Sequence, residues 1–466
     1  MNKSDSERIA GYLEKHNFIP SSNPNKSDLV VITTCGVRQS AEDRVYGLAP
    51  KIKKANPKVK IILTGCLSQR KDVIKRLRNN VDIWLPIAEL NKLAGKLGLL
   101  GKCEGSLKNY LEVMPKHKSK FSAFVPIGNG CDNFCAYCVV PYARGREVYR
   151  PAEEIVSEVS GLVEREYKEI VLIAQNVNSY QSIKSKVHKV ESFEDNIYFS
   201  DLLKMVNDIK GDFWIRFATS HPKDMRDELI KAIAECEKVC EHIHLPAQSG
   251  DDEVLKRMNR KYTADYYLGL IEKIKKQIAA NKSPHAPARE ASLAIAGGPF
   301  IKGGNTNSHE LWQPPVSITT DIIVGFPGET KKQFNNTAKL FKKIKFDMAY
   351  IAQYSPRPGT VAFKLKDNIS KEEKKRREEE LTKILRKTAL KNNKKYIGKV
   401  VEVLIDGKNK RGEWAGETRT NKQVRIKNYE SCLPAGRLRI KNLIGAFVKV
   451  KISKVQDFGL EGELVK

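Results

Sequence analysis

The stretch Gly130-Cys131-Asp132-Asn133-Phe134-Cys135-Ala136-Tyr137-Cys138 decides how this chain of 466 residues is interpreted. It follows an apolar run at 124–127 that we predict to be a buried strand. Three thiolates on so short a loop can bind three irons of a 4Fe–4S cube and leave the fourth iron open. A structural zinc site needs four ligands, and the next histidine is as distant as His188. The spacing therefore indicates an iron–sulfur site, with the ligands Cys131, Cys135 and Cys138.

Five more apolar runs follow the cysteine loop, and they alternate with segments of helical periodicity. They lie at 169–173, 213–217, 242–245, 317–324 and 348–351. Polar residues stand directly after several of these runs, among them Gln175-Asn176 and Gln248. Functional residues of parallel βα folds gather at the carboxyl ends of the strands. We therefore predict a curved, partial βα barrel with its site at that end.

A smaller parallel sheet is predicted before the cysteine loop. Its strands are the β-branched runs at 29–34, 60–64 and 81–85, with helices between them. The first two runs end directly before Cys35 and before Gly65-Cys66. These two cysteines are therefore expected at one edge of the sheet. Cys236 and Cys240 are expected on one face of a helix, as a ligand pair or, more simply, as buried thiols.

The pattern changes after a charged helix at 371–392. Short strands at 400–405, 424–426, 446–452 and 459–464 indicate a small β-barrel. From Lys391 onward the chain has 18 Lys/Arg and 8 Asp/Glu, a net charge of 18 − 8 = +10. The whole chain carries +28. Such an excess favours a polyanionic partner, because phosphate contacts release counterions.

These patterns divide the chain into three predicted units, at 1–113, 117–390 and 393–466. Two stretches, at about 282–316 and 431–441, lack periodicity and are expected to be insertions. The polar N-terminus has no signal-peptide pattern, and no apolar run is long enough to cross a bilayer. The odd number of cysteines, 9, argues against a disulfide framework. We therefore expect a cytoplasmic protein with no membrane partner.

Taken together, these motifs resemble the radical S-adenosylmethionine (SAM) methylthiotransferases over nearly the whole chain. The motifs that carry the resemblance are Gly130 to Tyr142 with Arg144-Gly145, Arg150-Pro151, Gln175-Asn176-Val177-Asn178, Thr219-Ser220-His221-Pro222, His244-Leu245-Pro246, Gln248-Ser249-Gly250, Gly325-Phe326-Pro327-Gly328-Glu329-Thr330 and Ser355-Pro356-Arg357-Pro358-Gly359-Thr360. The stretch Gly416-Glu417-Thr418-Arg419-Thr420-Asn421-Lys422 resembles the RNA-binding TRAM barrel.

The resemblance implies two 4Fe–4S clusters and SAM as cofactors. The open iron of the first cluster would bind the amino acid end of SAM, and reductive cleavage would give a 5′-deoxyadenosyl radical that removes hydrogen from an unactivated carbon. A second cluster in the N-terminal unit would deliver the methylated sulfur. Tyr137, Gln175, Asn176 and Gln248 would bind SAM, with Tyr137 against the adenine. A simple core aromatic is the alternative for Tyr137. No residue is assigned to acid–base catalysis.

Within the family, the sequence is most similar to the branch that modifies C2 of N6-isopentenyladenosine at position 37 of tRNA. The expected partner is the tRNA anticodon stem-loop, together with a flavodoxin-like electron donor and an unidentified sulfur donor. One alternative substrate is threonylcarbamoyl-adenosine of tRNA, and another is an aspartate of a ribosomal protein. A different class of function is a non-catalytic iron–sulfur protein that binds RNA.

The sequence departs from the family at its start. Family members bind the second cluster with three cysteines, and two of these correspond to Cys35 and Cys66. The third belongs in a Gly-Cys-x-Met-Asn motif, of which this chain contains only Met1-Asn2. We therefore expect that the third ligand lies upstream of Met1, beyond a misplaced or truncated start.

Overall fold

A computed structural model describes residues 1–36, 39–98, 110–183, 196–282, 311–312, 316–427 and 443–465. The insertion predicted at 431–441 lies outside these residues, as does nearly all of the one predicted at 282–316. Among the described residues, no helix is both long enough and apolar enough to span a bilayer. The fold is mixed α/β, as predicted.

The N-terminal unit contains a three-stranded parallel sheet in the order β1-β2-β3. Its apolar side chains form two clusters, one on each face of the sheet. β1 and β2 are in register, with Thr34 beside Gly65. Cys35 and Cys66 consequently follow the ends of neighbouring strands. The elements are α1 (Asn2–Lys15), β1 (Leu29–Thr34), α2 (Gln39–Ala55), β2 (Lys60–Gly65), α3 (Lys71–Leu77), β3 (Ile83–Leu85) and α4 (Leu93–Lys96).

The central unit is a six-stranded, curved βα barrel. Its first three strands lie in the order β10-β7-β4 and its last three in the order β11-β12-β13, all parallel. The pairing of Ile215 with Val239 brings the two halves together. The elements are β4 (Ser122–Pro126), β5 (Gly128–Asn129), α5 (Val140–Arg144), β6 (Val148–Tyr149), α6 (Ala152–Glu164), β7 (Glu169–Ile173), β8 (Gln181–Ile183), β9 (Asn196–Tyr198), α7 (Phe199–Asn207), β10 (Trp214–Ala218), α8 (Asp227–Glu235), β11 (His242–His244), α9 (Asp252–Arg257), α10 (Ala264–Asn281), β12 (Ser317–Val324), α11 (Lys331–Ile344), β13 (Met348–Gln353) and α12 (Lys371–Asn393).

One local sequence prediction for this unit needs correction. Cys236 and Cys240 do not share a helix, because α8 ends at Glu235 and Cys236 is its C-terminal cap. Both thiols are buried, which agrees with the simpler of the two interpretations. The N-terminal cap of α11 is Thr330, which forms a capping box with Gln333.

The C-terminal unit is a closed barrel in the strand order β14-β15-β16-β18-β17. Its strands are β14 (Val400–Lys408), β15 (Trp414–Thr418), β16 (Gln423–Lys427), β17 (Phe447–Val455) and β18 (Leu460–Leu464). β15 was not among the predicted strands, because Gly416 and Glu417 obscure its β pattern. Gly416 lies so close to β14 that an added Cβ would stand 2.2 Å from the carbonyl oxygen of Leu404.

This small barrel packs on the amino ends of the central strands. Trp214, the first residue of β10, stacks on Phe447 with ring centroids 4.8 Å apart. Arg419 forms a bidentate ion pair with Glu241, which precedes β11, at 2.8 and 2.9 Å. Lys422 pairs with Asp347, which precedes β13, at 2.9 Å. The stretch that resembles the TRAM motif therefore docks one unit on the other.

Candidate iron–sulfur and substrate site

The cysteine loop leaves the carboxyl end of β4 through a tight turn. Gly130 has a φ of +83°, and a Cβ there would stand 1.9 Å from the carbonyl oxygen of Arg146. Only glycine fits this backbone without a shift. The amide of Cys131 donates to the carbonyl of Gly145 at 3.1 Å. The turn thus holds the start of the loop against the residues that follow it.

Each of the three loop thiols accepts one hydrogen bond. The Nδ2 of Asn133 lies 3.5 Å from Cys131 Sγ, and the amide of Val140 lies 3.5 Å from Cys138 Sγ. The third donor, Nη1 of Arg260, lies 3.4 Å from Cys135 Sγ and carries a positive charge. Donors of this kind stabilise thiolate sulfur and tune a bound cluster.

Arg260 belongs to a segment that fastens the cysteine loop from outside. The amide of Ala136 donates to Met258, and the side chain of Asn259 donates to the carbonyl of Phe134, both at 2.9 Å. The Arg260 guanidinium is buried and also donates to the hydroxyl of Tyr262 and the carbonyl of Pro246. Sequence reasoning missed this residue, because nothing in its local pattern indicates a contact 125 residues away.

Burial raises the pKa of Cys131. Cys138 lies in a more buried position, and burial raises its pKa to about 12. The other loop thiols add to both shifts by charge repulsion. The thiols are therefore poor single ligands until a cation replaces their protons. Within the described residues, no three His, Cys, Asp or Glu side chains form a group that could hold a metal ion. A zinc ion would need such convergence at about 2.3 Å, whereas a cube binds each sulfur through a different iron.

Several polar atoms at the barrel's carboxyl end have no protein partner. The Oδ1 of Asn176, the Oγ of Ser220 and the Oε1 of Gln248 are buried and unbonded within the described residues. Buried polar groups are rarely left in this state. Thr219 and Gln248 also have φ values of +74° and +64°, which costs backbone strain in side-chain-bearing residues. Unpaired donors and acceptors beside strained backbone suit the polar groups of a bound SAM.

His221 adds a neutral imidazole to this end of the barrel. Burial, with Arg260 and Lys223 nearby, lowers its pKa to about 2. Its Nδ1 lies 3.2 Å from the amide of Lys223 and accepts that proton. The other ring nitrogen, Nε2, is therefore the protonated one and can only donate.

The other predicted cofactor-binding residues take different positions. Asn176 is buried, and its Nδ2 donates to Asp224 at 2.7 Å. Gln175 is half-buried directly after β7. Tyr137 is half-buried and packs against an apolar cluster that includes Phe326 and Tyr354. It also lines a cavity of about 230 Å³ together with Gln248 and Cys138. Its packing against the adenine of SAM stays a prediction.

This cavity, which we call the reaction pocket, lies between the N-terminal unit and the barrel. Its walls also include Gly36, Asp321, Tyr350, Gln353 and Arg357. Gly36, next to Cys35, is so close to the barrel that an added Cβ would stand 2.9 Å from Val139 and 3.0 Å from Cys66. The two groups of cysteines therefore approach the same space from opposite walls.

Buried arginines join the N-terminal unit to this end of the barrel. Arg144 pairs with Asp5 at 2.5 Å, and both side chains are almost fully buried. Arg357 donates to Gln39 at 2.6 Å and pairs with Glu42 at 3.4 Å. Both arginines stand in the motifs quoted above, but their acidic partners could not be predicted from those motifs.

Comparisons with known proteins agree with this architecture. The Radical SAM superfamily matches residues 125–282, the uncharacterized protein family UPF0004 matches 1–86, and the TRAM domain matches 394–465. The fold and these matches define a radical SAM enzyme with a TRAM barrel. This class implies a 4Fe–4S cluster and SAM.

The match to individual proteins extends over the whole chain. A tRNA-2-methylthio-N(6)-dimethylallyladenosine synthase of Clostridium botulinum (strain Langeland / NCTC 10281 / Type F) is 38% identical over 479 residues, 99% of this chain and 94% of that protein. The synthase of the same description from Thermoanaerobacter pseudethanolicus is 38% identical over 100% of this chain and 91% of that protein. The solved structure of the radical SAM methyltransferase TsrM from Kitasatospora setae has a TM-score of 0.46 and 12% identity, over 76% of this chain and 68% of that one. The chain belongs to the family of radical SAM methylthiotransferases.

Proposed function

We propose that this chain adds a methylthio group to C2 of N6-isopentenyladenosine at position 37 of tRNA. The observation that carries the proposal is the reaction pocket, where Cys138 and Tyr137 of the barrel face Gly36 of the N-terminal unit. The whole-chain similarity to synthases named for that product supports the same substrate. The modification of threonylcarbamoyl-adenosine or of a ribosomal aspartate remains the alternative tested below.

We assign Cys131, Cys135 and Cys138 as the ligands of the cluster that the family implies. When bound, such a cluster supplies the electron that cleaves SAM. The chain's own residues bind and orient the cluster and the SAM. Asn133, Val140 and Arg260 donate to the three sulfurs, and Asn176, Ser220 and Gln248 offer unpaired polar atoms to the SAM. Tyr137 provides an aromatic wall.

We assign Cys35 and Cys66 to the second cluster. Cys66 is buried, and its Cβ would stand 3.0 Å from a Cβ added to Gly36, which lines the reaction pocket. Sulfur held at these residues would therefore face the reaction pocket. The partners we propose are the tRNA anticodon stem-loop, a flavodoxin-like reductant and a sulfur donor, all in the cytoplasm.

The decisive experiment combines anaerobic reconstitution with mass spectrometry of the RNA product. Protein loaded with iron and sulfide, then supplied with dithionite and SAM, should form 5′-deoxyadenosine and methylthiolate a stem-loop that carries N6-isopentenyladenosine.

The control RNA carries threonylcarbamoyl-adenosine in the same stem-loop. Modification of that RNA alone would contradict the proposed substrate. The absence of 5′-deoxyadenosine would favour the non-catalytic RNA-binding protein.

A further inference from the structure

The carboxyl-terminal halves of α11 and α12 carry a strongly basic surface outside the TRAM barrel. There is no Asp or Glu in 331–346 or in 381–395. Ten exposed cations of these stretches lie near the ends of the two helices, which pack side by side. We call them the basic surface: Lys339, Lys342, Lys343, Lys345, Lys383, Arg386, Lys387, Lys391, Lys394 and Lys395.

The two helix ends are held together at this surface. The side chain of Asn392 donates to the carbonyl of Lys345 at 2.9 Å and to Asp347 at 3.2 Å. Among the described residues, the only ion pair of the basic surface joins Arg386 to Asp457 at 3.6 Å. Nine of the ten cations thus lack a carboxylate partner there. A helix end by itself favours lysine in its last turn, but Lys383 and Lys387 lie further inside α12.

Three of these lysines share one face of α12. Lys383, Lys387 and Lys391 recur every four residues, so they lie one above another on the helix. A surface groove runs along α12 past Lys383 and Lys387 to Gln353. Gln353 also lines the reaction pocket. The groove therefore leads from the basic surface to the place where the substrate reacts.

Two glutamates line the groove near the pocket, and each already has a partner. Glu378 accepts from Gln353 at 2.7 Å, and Glu379 lies 3.9 Å from Lys375. From Glu378 to Lys391 the helix rises about 20 Å, at roughly 1.5 Å per residue. If the target nucleotide occupied the pocket, the adjacent nucleotides of the RNA strand and their phosphates would lie along this groove.

We infer that the basic surface binds the phosphate backbone of the RNA stem next to the target nucleotide. This inference rests on the proposed function for the identity of the RNA. The TRAM motif residues Arg419 and Lys422 are buried against the central barrel and cannot bind RNA in this arrangement. These two residues therefore do not provide the phosphate contacts that we assign to α11 and α12, beside the TRAM barrel. An acidic protein reductant is the alternative partner for the basic surface, but binding of a reductant would not require a groove that leads to the reaction pocket.

The test uses a triple variant, Lys383→Ala, Lys387→Ala and Lys391→Ala, in the full reconstituted chain. The affinity for a stem-loop carrying N6-isopentenyladenosine is measured by fluorescence anisotropy over a range of salt concentrations. Loss of three phosphate contacts should reduce the slope of log K against log salt by about 2 to 3, since each contact contributes roughly 0.7 to 0.9.

The matched control removes three exposed lysines from the opposite flank, on or near α7 and α8: Lys204→Ala, Lys210→Ala and Lys231→Ala. It changes the net charge equally, and we expect it to keep the wild-type slope. Because all six side chains are exposed, both variants should keep the thermal unfolding midpoint of the wild type.

Equal losses in the two variants, or no loss in either, would overturn the inference. So would an unchanged RNA slope combined with weaker reduction by an acidic flavodoxin-like protein in the α12 variant alone. Binding is measured without turnover. A wild type that binds the stem-loop but makes no product would therefore contradict the proposed function and leave the basic surface intact.

Discussion

Replacement of Arg419 by methionine should loosen the TRAM barrel from the central barrel. Arg419 forms the bidentate pair with Glu241 and donates to the carbonyls of Glu237 and Val239, both at 2.8 Å. Its own carbonyl accepts from Arg216 at 3.0 Å. Glu241 and Arg419 are both buried, so the variant leaves a buried carboxylate with one fewer partner.

Removal of one member of a buried ion pair costs about 3–5 kcal/mol. Lys282 remains 3.0 Å from Glu241, so we expect the lower end, about 3 kcal/mol. Since each 1.36 kcal/mol is a factor of ten, this corresponds to roughly 150-fold more frequent opening of the interface. The variant Arg419→Lys keeps the charge but loses the bidentate geometry. Its interface should therefore open at a frequency between those of the wild type and of Arg419→Met.

The measurement is hydrogen–deuterium exchange by mass spectrometry of peptides that cover 416–422 and 239–245. The amides of Thr418 and Lys422 are protected by hydrogen bonds within this turn. Exchange should accelerate in these peptides and stay constant in the N-terminal sheet, which makes no contact with Arg419. An acceleration of less than tenfold would refute the assignment of this pair as the main connection between the units.

Three other outcomes are expected. Arg260→Gln removes the cation that donates to Cys135, so the reconstituted cluster should keep its iron but have a lower reduction potential in a redox titration followed by electron paramagnetic resonance. Gly130→Ala places a methyl group 1.9 Å from a carbonyl oxygen and should reduce iron bound per chain without unfolding the barrel. Burial raises the pKa of Glu241, but Arg419 and Lys282 hold it well below its ordinary 4.5. The ion pairs of Glu241 therefore stabilise the interface fully above about pH 4.5, and this stabilisation is lost as the pH falls further and the carboxylate is protonated. Below that pH, hydrogen exchange in Glu241→Gln should depend less on pH than it does in the wild type.

Periodicity and spacing were enough to predict the strands of the central barrel and the cysteine loop. The run at 169–173 matches β7, and the run at 317–324 matches β12. These strands are largely buried, and their sequences are short runs rich in β-branched and apolar residues. The cysteine loop was found for a similar reason, since its ligands are close in the sequence as well as in space.

Contacts between distant parts of the chain could not be predicted in this way. Arg144 and Asp5 are 139 residues apart, and Arg419 and Glu241 are 178 apart. Each member of such a pair looks like an ordinary surface charge in its own stretch of sequence. Only the docking of the units shows that these charges are buried, so periodicity contains no information about them.

The TRAM motif shows that a local resemblance does not tell which of the motif's charges are exposed. Its arginine and lysine, Arg419 and Lys422, are the residue types that would bind phosphate, yet both face carboxylates at the amino end of the barrel. The N-terminal unit occupies the opposite end, where Gly36 meets Val139. On the proposed function, we expect RNA that reaches the reaction pocket to extend along the flank between the two attached units. α12 is the element that runs the length of that flank, from the Glu329 contact of Arg377 to the start of the TRAM barrel. Our inference therefore assigns phosphate contacts to its exposed lysines Lys383, Lys387 and Lys391.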